Sequence, residues 1–484
     1  MTPPSKTPTL PALPAADTAV KTVSLYQAQA KIYARAVSGR FANWRWALVW
    51  LTQIVFYGLP WLNWGDRQAV LFELTSRRFY IVGLVFYPQD FIYLTGMLIV
   101  AAYSLFLFTA VGGRLWCGYA CPQTVYTEIF MWVERKIEGD RAARMRLDAA
   151  PATLHKWLRK GAKQAVWLAI GLWTGFSFVG YFTPIRSLAA EVATLGLGPW
   201  EWFWVLFYGL ATYGNACFMR EQVCKYMCPY ARFQSAMFDK DTLIVSYDSA
   251  RGEPRGARPR KADPGQLGLG ACVDCKLCVQ VCPTGIDIRQ GLQYECIGCA
   301  ACVDACDSVM DKQNYARGLV RYDTQNGLSQ PAVQGRWLAR LLRPRVIVYS
   351  VILLLICTAL ATSIALRSPF KVDVVRDRAA LARQVDEGFV ENVYRLQVMN
   401  ATELTQRYRV TAEGLPGLRL TDPGLLTLGP AEARWITLAL RVPPETASRG
   451  PAGAHELHFT VERLPTATDA ARSVREKSTF VLPR

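Results

Sequence analysis

Eight cysteines in two consecutive runs are the residues of this chain best suited to chemistry. Each run has the spacing C-x2-C-x2-C-x3-C, and we call the runs the first ladder (Cys272, Cys275, Cys278, Cys282) and the second ladder (Cys296, Cys299, Cys302, Cys306). This spacing is typical of two 4Fe–4S clusters in which the fourth cysteine of each run binds the other cluster. One cluster is therefore predicted on Cys272, Cys275, Cys278 and Cys306, and the other on Cys296, Cys299, Cys302 and Cys282.

Two other uses of these cysteines fit the sequence less well. A disulfide framework belongs to small secreted domains, whereas this segment is basic and lies between long apolar runs. Zinc sites usually consist of two separated C-x2-C pairs. Iron–sulfur electron transfer is the predicted chemistry.

A second cysteine pattern, C-x-Y-x-C-P, occurs twice. It spans Cys117 to Cys121 and again Cys224 to Cys228, with a proline after each second cysteine. Each copy follows a pair of apolar segments, so an internal repeat of two helical hairpins is predicted to bring the four thiols together. Four thiolates suit a soft metal or a cluster, although two unrelated, inert cysteine pairs remain an alternative.

The proline in each copy predicts the local backbone. It disfavours α geometry at the preceding cysteine and can open the next helix. A helix N-terminus favours thiolate, so these cysteines are expected to have lowered pKa values.

Other reactive side chains are expected to be structural. Cys217 is either a fifth ligand or, as we favour, a small core residue, and Cys357 is expected to pack within an apolar segment. Glu128 and Glu134 belong to an amphipathic helix and are expected at its surface in salt bridges, with a proton or quinone role as the lesser alternative.

The three histidines exclude haem as the electron carrier. His155, His455 and His458 all lie outside the apolar segments, and no C-x-x-C-H motif occurs, so neither b-type nor c-type haem is expected. His455 and His458 are predicted to face opposite sides of one strand, which argues against a metal site there.

Apolar segments of membrane length must position these cysteines. The chain has 484 residues, of which 51% are hydrophobic and 12% aromatic. About 20 apolar residues cross a bilayer, and five segments qualify: 46–62, 91–111, 165–183, 200–219 and 346–365.

Lysine and arginine predict the orientation of these spans. The net charge is +17, and the basic residues concentrate in 112–163 and 220–344, beside the apolar segments. The positive-inside rule places both regions and the N-terminus in the cytoplasm of a bacterial inner membrane, and the C-terminal region in the periplasm. Because membrane topology accounts for the basic charge, no nucleic-acid partner is expected.

The predicted fold is a multi-domain membrane protein. Residues 1–40, rich in Pro, Thr and Ala and lacking a signal-peptide pattern, are expected to be a disordered cytoplasmic arm. Alternating segments separated by Gly/Pro turns after residue 370 predict an all-β, immunoglobulin-like sandwich. The predicted domains are a four-span core with both C-x-Y-x-C-P motifs (41–240), a ferredoxin-like two-cluster domain (241–344), a fifth transmembrane helix (345–368) and the sandwich (369–484).

Three long segments closely resemble the CcoG/FixG family of accessory proteins for cbb3-type cytochrome c oxidase. They are GRLWCGYACPQTVYTEIFMWVERKIEGDR (113–141), ACFMREQVCKYMCPYARFQSAMFD (216–239) and the stretch holding both ladders. The resemblance covers nearly the whole chain. It implies a role in oxidase maturation, in which Cu(II) is reduced to Cu(I) for the oxidase.

The resemblance also implies a site and partners. Copper reduction or binding would map to Cys117, Cys121, Cys224 and Cys228, which could instead hold a third cluster. The implied partners are the membrane, the oxidase subunits and copper chaperones or transporters, with a homodimer as a candidate assembly. Two further functions stay open. One is a quinol dehydrogenase that passes electrons to another reductase, since a related family of quinol-oxidising ferredoxins shares the four-span core. The other is a non-catalytic assembly scaffold with structural or oxygen-sensing clusters.

Overall fold

Three parts follow one another along the chain: a helical part, a two-ladder part and a β-sandwich. The computed structural model describes residues 31–259, 265–329, 341–377, 381–421, 425–465 and 470–483. The disorder predicted for residues 1–30 concerns residues outside these ranges.

Nine helices and a small β-structure form the helical part. The helices are α1 Arg40–Gly58, α2 Phe91–Gly112, α3 Leu115–Tyr119, α4 Pro122–Glu138, α5 Arg141–Ala149, α6 Leu154–Val179, α7 Ile185–Ala193, α8 Pro199–Gly214 and α9 Pro229–Met237. The strands are β1 Asn63–Trp64, β2 Arg67–Gln68, β3 Val70–Glu73, β4 Arg78–Ile81 and β5 Leu84–Phe86. Two π-helical turns, Asn215–Met219 and Val223–Met227, lie between α8 and α9.

Two helices in the described residues are long and apolar enough to cross a membrane. They are Pro88–Gly112, which contains α2, and Pro344–Ala365. The other three predicted spans also form helices, but α8 has only 16 residues before its π-helical turn, and α6 begins with several lysines and an arginine. The five-span arrangement remains a prediction.

Helix packing agrees with the second predicted hairpin and differs from the first. α6 packs along α8, where a Cβ on Gly175 would lie 2.1 Å from the carbonyl oxygen of Val205, so glycine permits the close approach. The helix Pro344–Ala365, hereafter α14, packs on α2, and the Tyr93 hydroxyl donates to the Ser363 carbonyl at 3.2 Å. α2 therefore pairs with α14, whereas the first predicted hairpin paired it with α1.

Residues 31–39 correct the prediction of a wholly disordered arm. They are extended and bonded to two other parts of the chain: the Arg35 amide donates to the Gln280 carbonyl at 2.8 Å. The Tyr33 hydroxyl donates to Asp148 at 2.6 Å, and the Ala36 amide donates to Asp140 at 2.9 Å. Pro- and Ala-rich composition missed these contacts because they are made with partners distant in sequence.

The two-ladder part is small and mostly irregular. Its elements are β6 Ile244–Tyr247, α10 Ser249–Gly252, α11 Leu277–Gln280, α12 Ala301–Gln313, β7 Val320–Asp323 and α13 Gln325–Ser329. β6 pairs with β7 in antiparallel fashion. The carboxylate of Asp304 on α12 accepts from the Phe41 and Ala42 amides at 3.1 and 2.7 Å, so it caps the N-terminus of α1 and joins the two parts.

The C-terminal part is the predicted immunoglobulin-like sandwich. Its elements are β8 Phe370–Arg376, β9 Arg383–Gln384, β10 Val390–Asn400, β11 Gln406–Glu413, β12 Arg419–Thr421, β13 Leu426–Leu428, β14 Ala433–Val442, α15 Pro444–Arg449, β15 Gly453–Arg463 and β16 Arg472–Leu482. One sheet has the order β12-β14-β10-β8 with β9 beside β10, and the other has the order β13-β11-β15-β16. Alternate residues of both sheets fill the core, including Tyr394, Tyr408 and Phe459, each fully buried.

The sandwich is fastened to the start of α2. The Tyr87 hydroxyl donates to the carbonyl oxygens of Asn400 and Ala431, both at 3.0 Å. Asp90, only 3% exposed, forms ion pairs with Arg367 at 3.4 Å and Lys371 at 3.0 Å. Buried hydrogen bonds and a buried carboxylate thus hold this joint in one arrangement.

Candidate iron–sulfur and thiol sites

The predicted ligands of the first cluster meet around one cavity. Cys272, Cys275, Cys278 and Cys306 all line an empty volume of about 370 Å³. α11 carries Cys278 and α12 carries Cys306, which brings the last cysteine of the second ladder to the first.

The second predicted set meets around a neighbouring cavity of about 350 Å³. Cys282, Cys296, Cys299 and Cys302 all line it. Gly298 has φ +69°, a left-handed conformation that favours glycine, and it forms the turn between the first two cysteines of the ladder. The cross-over of the fourth cysteines is therefore reproduced in the fold, while their role as ligands remains a prediction.

Both cavities fit an anionic iron–sulfur cluster better than a single ion. Within the described residues, no group of three or more His, Cys, Asp or Glu side chains is arranged to hold one metal ion. In a 4Fe–4S cube each thiolate binds its own iron, which spaces the sulfurs more widely. Burial raises the pKa of Cys278 to about 11 and that of Cys306 to about 12, so metal binding must displace thiol protons.

The C-x-Y-x-C-P cysteines lie where helices end and begin. Cys117 belongs to α3, and Cys121 has an extended backbone (φ −61°, ψ 129°) directly before α4. Cys224 belongs to the second π-helical turn, and Cys228 is extended (φ −79°, ψ 110°) before α9. The effect predicted for the prolines is thus observed at both copies.

The four thiols are neighbours, and we call them the thiol quartet. Cys117 interacts electrostatically with Cys121 and Cys224, and Cys121 does so with Cys228. Residues from two distant stretches thus converge, as the repeat predicted. The Cys117 thiol also donates to Oε1 of Gln234 at 3.4 Å.

The expected lowering of thiol pKa values by helix N-termini is wrong. Burial raises the pKa of Cys117 to about 12 and that of Cys224 to about 11. It also raises the pKa of Cys121, although hydrogen bonds from the Gln123 and Thr124 amides oppose the rise. Desolvation of the thiolate outweighs the helix N-terminus at this depth.

The segment between Cys117 and Cys121 touches the second ladder directly. A Cβ on Gly118 would lie 2.8 Å from the Gly298 carbonyl carbon and 2.9 Å from the Cys299 Cα. The Tyr322 hydroxyl donates to the Gly298 carbonyl and lies within hydrogen-bond distance of the Tyr119 hydroxyl, at 3.2 Å. The backbone of the first C-x-Y-x-C-P motif is therefore in van der Waals contact with the backbone of a predicted cluster ligand.

Gly118→Ala is expected to destabilise the protein by about 1–3 kcal/mol, because the new methyl group meets backbone that cannot rotate away. A shift of the denaturation midpoint measures the cost. Gly161→Ala is the matched control: nothing lies within 4 Å of its added Cβ, so its midpoint should not fall. Equal midpoints for Gly118→Ala and the unmodified protein would contradict the close contact.

A larger cavity gives access to both cysteine systems. Its empty volume is about 870 Å³, and Cys224 and Cys299 both line it, together with Arg45 and Glu128. Neither motif predicts this space, because it lies between α1, α4 and the ladders. This space is partly open to solvent, so a hydrated ion can approach Cys224 and Cys299 through it.

The remaining sequence candidates have structural surroundings. Cys217 is half-buried against the cluster of Phe130 and Trp167, as the core alternative predicts. Glu134 is not at the surface as expected: it is 2% exposed and bonded to Arg144 and Arg220 at 2.6 and 2.7 Å. A glutamate among many charged residues in sequence gave no signal of burial.

Comparison with known proteins gives matches along most of the chain. Family models match at residues 219–325 (4Fe-4S dicluster domain), residues 93–139 (4Fe-4S binding domain) and residues 360–483 (IG-like fold at the C-terminal of FixG). The nitrogen fixation protein FixG of Rhizobium meliloti is 38% identical over 448 residues, 86% of this chain and 85% of the relative. Protein RdxA of Cereibacter sphaeroides is 39% identical over 410 residues, 83% of this chain and 86% of the relative.

A solved structure also matches part of the chain. The crystal structure of a FixG-related protein from Vibrio parahaemolyticus corresponds to 24% of this chain and 97% of that chain. The identity is 22% and the TM-score 0.19, a value too low to establish a common fold by itself.

Proposed function

This chain belongs to the FixG family of iron–sulfur proteins, and from that premise we propose that it reduces Cu(II) to Cu(I) at the thiol quartet for the assembly of a cbb3-type cytochrome c oxidase. Electron transfer follows from the 4Fe-4S dicluster match. The observation that carries the finer proposal is the contact of Gly118 with Gly298 and Cys299. It supports a short path between the second cluster and the quartet, because Gly118 follows Cys117 directly and Cys299 is a predicted cluster ligand.

Each cysteine group has a separate task in this proposal. The ladder thiolates hold two 4Fe–4S clusters, which supply one-electron redox chemistry when bound. The quartet would bind copper, because Cys117, Cys121, Cys224 and Cys228 are soft donors, which stabilise Cu(I) over Cu(II). No three of these side chains surround one ion as they stand, so copper binding would draw the thiols together. One electron converts the bound Cu(II) to Cu(I), and copper binding releases the thiol protons that burial retains.

Copper would reach the quartet through the cavity of about 870 Å³ that Cys224 lines. Glu128 and Glu221 also line it and offer carboxylates to a cation on its way in. Burial of Cys117 then keeps bulk water from the reduced metal.

The proposed location is a bacterial inner membrane, crossed five times. α2 and α14 satisfy the length and hydropathy of spans, and α1, α6 and α8 overlap the other three predicted segments. The basic loops place the cysteine systems on the cytoplasmic side and the sandwich in the periplasm.

A third cluster at the quartet is the second candidate, because the 4Fe-4S binding domain match at residues 93–139 covers Cys117 and Cys121. Metal analysis of anaerobically purified full-length protein separates the two. Copper at the quartet predicts about eight irons and eight sulfides per chain with copper bound after loading, whereas a third cluster predicts about twelve irons. Twelve irons without copper uptake would reject the copper site.

A further inference from the structure

Two buried arginines lie beside the second ladder without a carboxylate partner. Arg45 is 5% exposed, and its Nη1 donates to the Cys299 carbonyl at 2.6 Å. Arg114 is 7% exposed and donates to the carbonyl oxygens of Cys296 at 2.9 Å and Ala231 at 3.1 Å. In the described part of the chain, neither guanidinium has a carboxylate within the 4.0 Å of an ion pair. Since a buried cation is costly without a counter-charge, an anion is expected close to both.

Arg114 stands between the two cysteine systems. It interacts electrostatically with Cys296 of the second ladder and with Cys117 and Cys224 of the quartet. Arg45 interacts in the same way with Cys299. The second cluster site therefore carries two positive charges that no side chain neutralises at contact distance.

Carboxylates near the second ladder do not cancel these charges. Asp304 is 5% exposed, but both its oxygens accept from amides at the N-terminus of α1, whose dipole offsets its charge. Glu128 acts on Arg45 only from beyond ion-pair distance.

The first cluster site has a different balance. Arg289 is already paired with Asp274 at 2.5 Å and Asp287 at 2.6 Å. The other two cations there are less buried than Arg45 and Arg114: Arg258, which donates to the Cys272 carbonyl at 3.5 Å, is half-buried, and Lys276, which lines the cavity, is exposed. Asp307 adds another carboxylate close to Cys306. Cys275 is exposed, so water also screens this site.

We propose that Arg45 and Arg114 raise the reduction potential of the cluster held by Cys282, Cys296, Cys299 and Cys302 above that of the other cluster. The inference rests on the two-cluster part of the proposed function. Reduction adds one negative charge to a cluster that four thiolates already make anionic, so nearby cations stabilise the reduced form most. Burial alone would do the reverse, because it penalises the more highly charged form.

This difference in reduction potential sets the direction of electron transfer between the two clusters. At equilibrium one electron leaves the first cluster and enters the second, with no bond formed or broken and no proton moved. The favoured position of the electron is the cluster site whose backbone contacts Gly118, the residue after Cys117 of the thiol quartet.

An EPR-monitored redox titration of the anaerobically purified full-length protein, with dithionite as reductant, tests this. Arg45→Gln and Arg114→Gln keep a hydrogen-bond donor and remove the charge. Each should lower the midpoint of the second cluster by at least 59 mV, a tenfold change in a one-electron equilibrium, and leave the first unchanged. Arg45→Lys and Arg114→Lys should restore most of the potential. Arg67→Gln, which removes a charge that pairs with Glu403, should move neither midpoint.

Cys275→Ser assigns the EPR signals to the two clusters. Because Cys275 lines only the first cavity, the signal that changes in this variant belongs to the first cluster. An unchanged second midpoint in the glutamine variants, or equal shifts of both midpoints, would overturn the proposal. If the glutamine variants lose the second cluster, the test is made on the unmodified protein. A reduction midpoint of its second cluster at or below that of its first cluster would also overturn the proposal. A correct order of midpoints in a protein that fails to reduce Cu(II) would reject copper reduction alone.

Discussion

Replacing Cys117 and Cys121 together by serine is expected to abolish reduction of Cu(II) by the dithionite-reduced protein and to leave the EPR signals of both ladder clusters. Serine offers a hard oxygen donor that stays protonated, and it cannot stabilise Cu(I) as a thiolate does. The two cysteines lie outside both cluster cavities, which the ladder cysteines line. Activity is measured anaerobically as Cu(I) captured by a chromogenic chelator.

Cys357→Ser provides the matched control for this double variant. Cys357 lies in α14, away from both cysteine systems in sequence, and it too is a half-buried free thiol. Copper reduction should be unchanged in this control. Normal copper reduction by the Cys117/Cys121 double variant would remove the thiol quartet from the mechanism.

Glu134→Ala is expected to cost about 3–5 kcal/mol of stability, since it leaves two guanidiniums buried without their carboxylate. Glu134 is 2% exposed, and Arg144 and Arg220 donate to its two oxygens. Arg220 has φ +33°, a left-handed conformation that is strained for a side chain other than glycine. The ion pair holds this turn, which separates the π-helical turns and leads to Cys224.

Thermal unfolding followed by circular dichroism measures the effect. Glu456→Ala, which breaks the exposed ion pair with Lys477 at 3.1 Å, is the control and should leave the melting curve nearly unchanged. A melting curve for Glu134→Ala like that of the unmodified protein would show that the buried network does not stabilise the fold.

The same carboxylate predicts a pH dependence. Burial raises the pKa of Glu134, but Arg220 and Arg144 lower it more, and the pKa lies below its usual range. A depressed pKa means that the stabilisation is complete above the ordinary carboxyl pKa and is lost as pH falls through the native value. Unfolding curves should therefore show the Glu134 contribution at neutral pH and its loss only in acid.

Features set by short spacings could be predicted from the sequence. The ladder spacing predicted that Cys306 groups with Cys272 and Cys282 with Cys296. Each of these pairs lines a common cavity, and Cys278 lines both cavities. Alternation of apolar and polar residues likewise indicated the sandwich, whose β10 and β15 have one buried and one accessible face.

Features that depend on contacts between residues distant in sequence could not be predicted from the sequence. The burial of Glu134 depends on Arg220, far along the chain, and the ordering of residues 31–39 depends on Asp148 and Gln280. The sequence also does not fix the number of membrane spans, since α6 contains lysines as well as apolar residues. The pKa values of the Cys117, Cys121 and Cys224 thiols are raised by burial, and burial depends on the folded chain.

The contacts of Tyr87 and Asp90 make α2 a connection between the sandwich and the second ladder. α2 has 22 residues, about 33 Å at 1.5 Å each, and it begins where Asp90 binds Arg367 and Lys371. It ends at Gly112, two residues before Arg114. The start of α2 is thus held by contacts with the sandwich. Its other end leads to Arg114, which lies between the second ladder and the thiol quartet. With one bend at Gly113 (φ +57°), a single helix therefore joins the sandwich to the surroundings of the second ladder.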